Sequence, residues 1–252
     1  MRPAALPPSE RLPLGGETMS PAMASASNYY SWIASEFRPV LGDRVLDIGG
    51  GHGAHLEHIV AKGRYVASVD LSPECVREME ARFSGERFTA LCGDITEPSF
   101  LERLVAERFD TIVCVNVLEH IERDTAATQA MAAILRPTSG RLFLFVPAHP
   151  FLYGTPDILA GHFRRYRRRD LERLLAAAGF RGIRARHFNW FGAIPYFLNS
   201  RILRPKSLGG PVDSQIVLFD RYCVPLLRRL DPWIRLPFGQ SLVVTARAGD
   251  RS

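Results

Sequence analysis

The sequence predicts an α/β fold, a doubly wound, mostly parallel sheet with helices on both faces. Three observations predict it. From residue 44 onward, short β-branched runs alternate with helical stretches, as strands and crossover helices of a parallel sheet do. The runs are apolar throughout rather than at every second residue, which marks strands covered on both faces. The chain has 252 residues, 46% of them hydrophobic, enough to bury one sizeable core without disulfides or a structural metal.

The elements follow in order. Residues 1–26 are rich in Pro, Ala, Ser and Gly, with no continuous apolar stretch, and read as a disordered tail rather than a signal peptide. One domain, 27–252, follows, opening with an amphipathic segment at 27–42. Five strands are expected at 44–50, 64–70, 87–94, 109–117 and 141–148, each short and ended by Gly, Pro, Asp or Asn. Helices are expected between them. Ser72 and Pro73 suit the cap and first position of one; Leu171, Leu174, Leu175 and Ala178 repeat at helical spacing in another and stop at Gly179. Two more strands follow at 182–189 and 241–248. The stretch between them, about 190–240, is too long for a loop and should be a helical insertion.

The formal net charge of +6 favours anionic partners without selecting one. Cys75, Cys92, Cys114 and Cys223 lie far apart without zinc spacing, so buried reduced thiols and a cytoplasmic protein are expected. No run approaches the ~20 apolar residues that span a bilayer, leaving a soluble protein or one lying on a membrane surface.

The stretch VLDIGGGHG (45–53) packs four glycines between a strand and a helical start. In a doubly wound sheet, ligands sit beyond the carboxyl ends of the strands, where backbone must approach them closely. The stretch fits both DxGxGxG, through Asp47, Gly49, Gly51 and Gly53, and the dinucleotide pattern GxGxxG/A, through Gly49, Gly51 and Ala54. Asp70 ends the next strand 21 residues after Gly49, where a carboxylate can receive two ribose hydroxyls. Asp94 ends the third, 24 residues further on. A second acid suits an adenine amino group and a cationic cofactor better than a diphosphate, which it would repel.

Taken in order, VLDIGGGHG, VDLSPE, CGDI, FDTIVCVNVLEHI and LRPTSGRLFLFVPA resemble the successive motifs of class I S-adenosylmethionine-dependent methyltransferases. The resemblance covers residues 27–248, and NYYSWI, VPAHPFLYGTPD and GHFRRYRRRDLERLLAAAGF narrow it to a subgroup with small-molecule or lipid-like acceptors. It implies a Rossmann-like sheet of seven strands with the last antiparallel, and S-adenosylmethionine as cofactor. By the resemblance, Gly49, Gly51 and Gly53 line the methionine and ribose part, with Asp47 near the amino group. Asp70 holds the ribose hydroxyls, Leu71 covers the adenine face, Asp94 meets the adenine amino group beside Ile95, and Asn116 lies under the methionine end.

Methyl transfer from a sulfonium needs alignment first and a proton acceptor second. The candidates are His149, closest to the fifth strand's end, with His162 and Tyr166 in the loop that follows; each could equally be hydrogen-bonding that loop into shape. His52, His55 and His58 lack the spacing and acids of a zinc site, and no metal is expected. His120 borders the cofactor or packs under the sheet edge. Five arginines in RRYRRR (164–169) read as solvated surface or as a site for an anionic ligand. Phe188, Trp190, Phe191, Tyr196 and Phe197, followed by Arg201 and Arg204, read as core, or as a surface for a bulky acceptor or peripheral contact with lipid.

The alternatives are a NAD(P)-dependent oxidoreductase, opposed by Asp94 and by the lack of a YxxxK pair, and a domain that binds the cofactor without turnover. Nucleic-acid modification is disfavoured, because VNVL replaces the Asn/Asp-Pro-Pro-aromatic signature and no RNA-binding appendage is visible.

Overall fold

The computed structural model describes residues 21–60, 64–83, 85, 87–198, 200, 211–231, 233 and 236–249. Its seven strands are β1 (Arg44–Ile48), β2 (Tyr65–Asp70), β3 (Phe88–Cys92), β4 (Thr111–Val115), β5 (Arg141–Pro147), β6 (Phe180–Phe188) and β7 (Ser241–Ala248). They form one sheet of order β3-β2-β1-β4-β5-β7-β6. The first five pair in parallel, and β7 is antiparallel to both β5 and β6.

Helices cover both faces. Ten lie among the described residues: α1 (Pro21–Ala24), α2 (Ser27–Phe37), α3 (Pro73–Arg82), α4 (Pro98–Ala106), α5 (Asp124–Leu135), α6 (Thr155–Leu159), α7 (Arg168–Ala177), α8 (Ala193–Leu198), α9 (Pro211–Leu218) and α10 (Val224–Leu230). On one face Phe100 and Leu104 of α4, Met131 and Ile134 of α5, and Leu171 and Leu175 of α7 pack on Leu46, Ile112, Leu142 and Leu144. On the other, Trp32, Ile33 and Phe37 of α2, Val76 and Met79 of α3, and Val224 and Leu227 of α10 meet Val45, Val113, Phe143 and Phe188. The strands are therefore buried on both sides, which is why their sequences read as continuous apolar runs.

Local signals act where the sequence places them. The Ser72 hydroxyl accepts the Cys75 N–H at 3.3 Å and Pro73 takes the first position of α3. Gly179, at φ +98°, closes the end of α7. Four expectations need correcting. Between β1 and β2 the described residues form only a 3-10 turn, Leu56–His58, with Leu56 and Ile59 buried. Strand β6 starts two residues earlier than expected, a register shift between Arg181 and Arg184 absorbing Gly182 at φ +60°. Cys92 is exposed, while Cys75 and Cys114 are buried. Within the segment read as tail, Pro21–Ala24 form a helical turn and Ala26 is buried.

The long connection from β6 to β7 leaves and returns at one place, since Phe188 and Ser241 are register partners. Its neck is clamped by hydrogen bonds from Gln240 N–H to the Asn189 carbonyl, 3.1 Å, and between their side chains, Asn189 Nδ2 to Gln240 Oε1, 3.0 Å. Because β6 runs parallel to β1–β5, this neck opens at the carboxyl edge of the sheet, the edge that carries the glycine turn. Arg201 and Arg204 lie outside the described residues.

Candidate active site

The glycines after β1 do different jobs. A Cβ on Gly49 would strike Val117, and one on Gly50 would strike Ser68 Oγ and lie 2.5 Å from Met79 Sδ. At Gly53 it would meet the Phe83 ring at 2.7 Å. Gly51, at φ +53°, has nothing within 4 Å of that position. Its missing side chain leaves open space beyond the sheet.

Asp70 holds this turn from the neighbouring strand tip. Its Oδ2 accepts the Gly51 N–H at 2.9 Å and its Oδ1 accepts the Ser72 N–H at 2.8 Å. Leu71 beside it is 48% exposed. One strand over, exposed Asp94 accepts the Thr96 N–H and Oγ1–H at 2.7 Å each, and Ile95 is buried next to it. Asn116, at φ +54°, continues the ladder past β4 through its N–H to the Phe145 carbonyl, 2.8 Å. Gly51, Asp70, Leu71, Asp94 and Asn116 thus share one sheet edge.

Asp47 departs from the expected ligand contact. It is fully buried, with Oδ1 2.6 Å from His55 Nε2 and Oδ2 accepting the Ser68 hydroxyl at 2.7 Å. A carboxylate without water needs such partners, so Asp47 braces the turn from behind. The other nearby histidines also have separate partners, His52 with Glu78 at 2.5 Å and His58 with Arg38 at 3.4 Å.

The structure separates the three candidate proton acceptors. His149, at φ +60°, stacks between His187, 4.8 Å at 2°, and Phe238, 4.9 Å. Its Nε2 is buried without a hydrogen-bond partner. Burial, then the nearby His187 and Arg165, pull its pKa down to about 4. Tyr166 is buried, its hydroxyl 3.2 Å from the Leu118 carbonyl and 3.1 Å from Asp124 Oδ2, and burial followed by the Asp124 and Glu119 charges drives its pKa far up. A phenol so held is a strut between the β5 extension and the β4 tip rather than a base. His162 lies at that tip too, Nδ1 2.9 Å from Asp157 Oδ1 and Nε2 4.0 Å from Glu119 Oε1.

The arginine run is divided by burial. Arg165 is internal, its Nε donating to Asp157 at 2.7 Å and its guanidinium 4.1 Å over Tyr196, and Arg164 pairs with Asp124 at 2.7 Å. A separate cleft lined by Gly42, Asp110, Thr138 and Arg141 sits at the opposite edge, where the strands of a doubly wound sheet begin rather than end.

A family model described as a methyltransferase domain matches residues 19–185, well over half of the chain. The chain belongs to this methyltransferase domain family. The ubiquinone biosynthesis O-methyltransferase of Xylella fastidiosa (strain 9a5c) is 37% identical over 109 residues, 42% of each chain. That of Xanthomonas oryzae pv. oryzae (strain PXO99A) is 39% identical over 106 residues, 41% of this chain and 42% of the relative. The matched region thus spans about two fifths of these curated relatives. Among solved structures, the Burkholderia thailandensis 1,6-didemethyltoxoflavin-N1-methyltransferase, with bound 1,6-didemethyltoxoflavin and S-adenosylhomocysteine, superposes with a TM-score of 0.52 at 21% identity, covering 90% of this chain and 80% of that one. The [4+2]-cyclase SpnF superposes at 0.58 with 18% identity, covering 91% and 83%. At such identities the likeness shows the fold alone.

In this methyltransferase domain the sequence leaves one cluster unassembled. Glu119 and His120 follow β4 while His162 comes from the loop after α6, and the backbone bond from Phe163 N–H to the Glu119 carbonyl, 2.8 Å, fastens the two together. No local spacing announces it, because the partners lie far apart in the chain.

Proposed function

We propose that the chain is an S-adenosylmethionine-dependent methyltransferase acting on an oxygen, nitrogen or carbon nucleophile of a small-molecule or lipid-like acceptor. The observation that carries this is the placement of two acids, Asp70 and Asp94, at neighbouring strand tips beside the open space at Gly51. Two carboxylates disfavour a diphosphate there, and so disfavour a nicotinamide cofactor. When bound, S-adenosylmethionine supplies a methyl group on a sulfonium that already carries its leaving group, which leaves the protein to align the acceptor.

In this reading Asp70 receives the ribose hydroxyls, Leu71 covers one adenine face, and Asp94 takes the adenine amino group with Ile95 packed alongside. Gly49, Gly51 and Gly53 shape the methionine end above Asn116, while Asp47 fixes the turn through Ser68 and His55. The acceptor lies toward the loop that carries His149, His162 and Tyr166. His149 is neutral at pH 7, but with its pKa pulled down to about 4 and its Nε2 buried it is a weak base, so alignment of the acceptor carries more of the step than proton removal. His162 and Tyr166 shape the wall.

The lipid-like character of the acceptor, and contact with a membrane surface, rest on the insertion. Phe191, Ile194, Phe197 and Leu198 in and beside α8, and Tyr222, Leu226, Leu230 and Trp233 in and beside α10, are all exposed. No described helix is long and apolar enough to cross a membrane.

Calorimetry with S-adenosylhomocysteine and with NAD tests the cofactor. Binding of the first and not the second is expected, and the reverse would overturn the reading. Methyl transfer from labelled cofactor into a panel of phenolic, amine and lipid acceptors then separates an enzyme from a domain that binds without turnover.

A further inference from the structure

We propose that Glu119, His120 and His162 form a binding site for a divalent cation of borderline softness, of which Zn²⁺ is the type. The three side chains offer ligand atoms all within 4.8 Å of one another. A zinc ion ~2.1 Å from each ligand needs separations of roughly 3.4 Å, so small side-chain rotations bring them into place; His162 Nε2 already stands 4.0 Å from Glu119 Oε1.

Glu119 is the decisive residue. It is 0% exposed, and neither carboxylate oxygen has a hydrogen-bond partner on another described residue. A buried carboxylate is ordinarily paired or bound to a metal.

The surroundings are those of a ligand set as well. Asp157, fully buried, engages His162 Nδ1 at 2.9 Å. That leaves Nε2 to point its lone pair toward Glu119, the carboxylate-histidine support that orients metal ligands. Asp157 is itself held by Arg165 Nε at 2.7 Å and the Gly154 N–H at 2.9 Å. The His120 and His162 rings meet edge to face, centroids 4.6 Å apart at 88°, so both can turn a nitrogen to one point. Two imidazoles and one carboxylate suit zinc, and three protein ligands leave a coordination position open. Both histidines are partly exposed, and the site follows β4 on the edge that carries the glycine turn.

Cobalt titration of the tag-free chain, followed by visible absorption and calorimetry, tests the site. One Co²⁺ per chain is expected, with d–d bands and no thiolate charge-transfer band. Glu119→Gln and His162→Ala, checked for native fold by circular dichroism, should each weaken binding at least about tenfold, since even supporting residues cost that much. Absence of binding to the wild-type chain, a thiolate band that assigns the metal to cysteine, or unchanged affinity in both folded variants would overturn the proposal. The readout uses neither cofactor nor turnover, so its result is independent of the methyl-transfer reading.

Discussion

Asp70, at the tip of β2, accepts the backbone N–H of Gly51 at 2.9 Å, so the carboxylate assigned to the nucleoside also holds the turn that leaves room for it. Asp70→Ala removes both the proposed ligand partner and this brace. Loss of two hydrogen bonds to a charged group costs about 3 kcal/mol, on the order of a hundredfold in Kd for S-adenosylhomocysteine. Calorimetry reads the loss, and affinity within about threefold of wild type would remove Asp70 from the site.

Two neighbouring glycines separate binding from folding. Gly51→Ala projects a methyl group into the open space and should weaken cofactor binding, with a stability cost of only about 1–2 kcal/mol from its left-handed backbone. Gly50→Ala drives its methyl group onto Ser68 and Met79 and should lower the unfolding midpoint further. Urea denaturation beside calorimetry distinguishes them. Equal loss of stability in both variants would contradict the assignment of open space to Gly51.

Much of this edge was legible because it depends on residue types that chemistry restricts. Asp70 and Asp94 could be placed at strand tips by counting, and the five parallel strands by their double-sided apolar pattern. The role of Asp47 was not legible, because nothing local says that His55 turns inward to meet it. The pairing of Glu119 with His162 was invisible for a related reason: the loop after α6 is fastened to the β4 tip by a backbone bond that no motif records. Likewise the long β6–β7 connection could be counted, while its closed neck at Phe188 and Ser241 emerges only from strand register.

The stacked His149 predicts a pH dependence of stability. Its folded pKa is pulled down to about 4, below the ordinary value of 6.5, by burial and by the neighbouring His187 and Arg165. Between these values the unfolded chain binds a proton that the folded chain does not. Stability therefore falls as pH drops from about 6.5 toward 4 and is fully retained above 6.5. His187, stacked on His149, has its own pKa lowered and adds to the same slope. His149→Asn keeps a residue that tolerates φ +60° and removes the imidazole. Urea midpoints measured at pH 7.5 and 5.0 should differ less in the variant than in the wild type. Parallel shifts would mean that the ring is protonated in the folded protein.

The insertion predicts a surface affinity that the core does not require. Trp233 is 87% exposed and Leu226 58% exposed, with exposed Arg221 and Arg229 on the same stretch. Burying such side chains in a membrane interface gains about 1.5–3 kcal/mol each, and the guanidinium groups add attraction to anionic lipid. The wild-type chain should sediment with anionic phospholipid vesicles and less with neutral ones. Trp233→Ser combined with Leu226→Ser should lower the bound fraction at least about tenfold while leaving S-adenosylhomocysteine affinity unchanged, because both side chains face solvent. Equal sedimentation of the double variant would assign these side chains to some other contact, and binding that ignores lipid charge would remove the arginines from it.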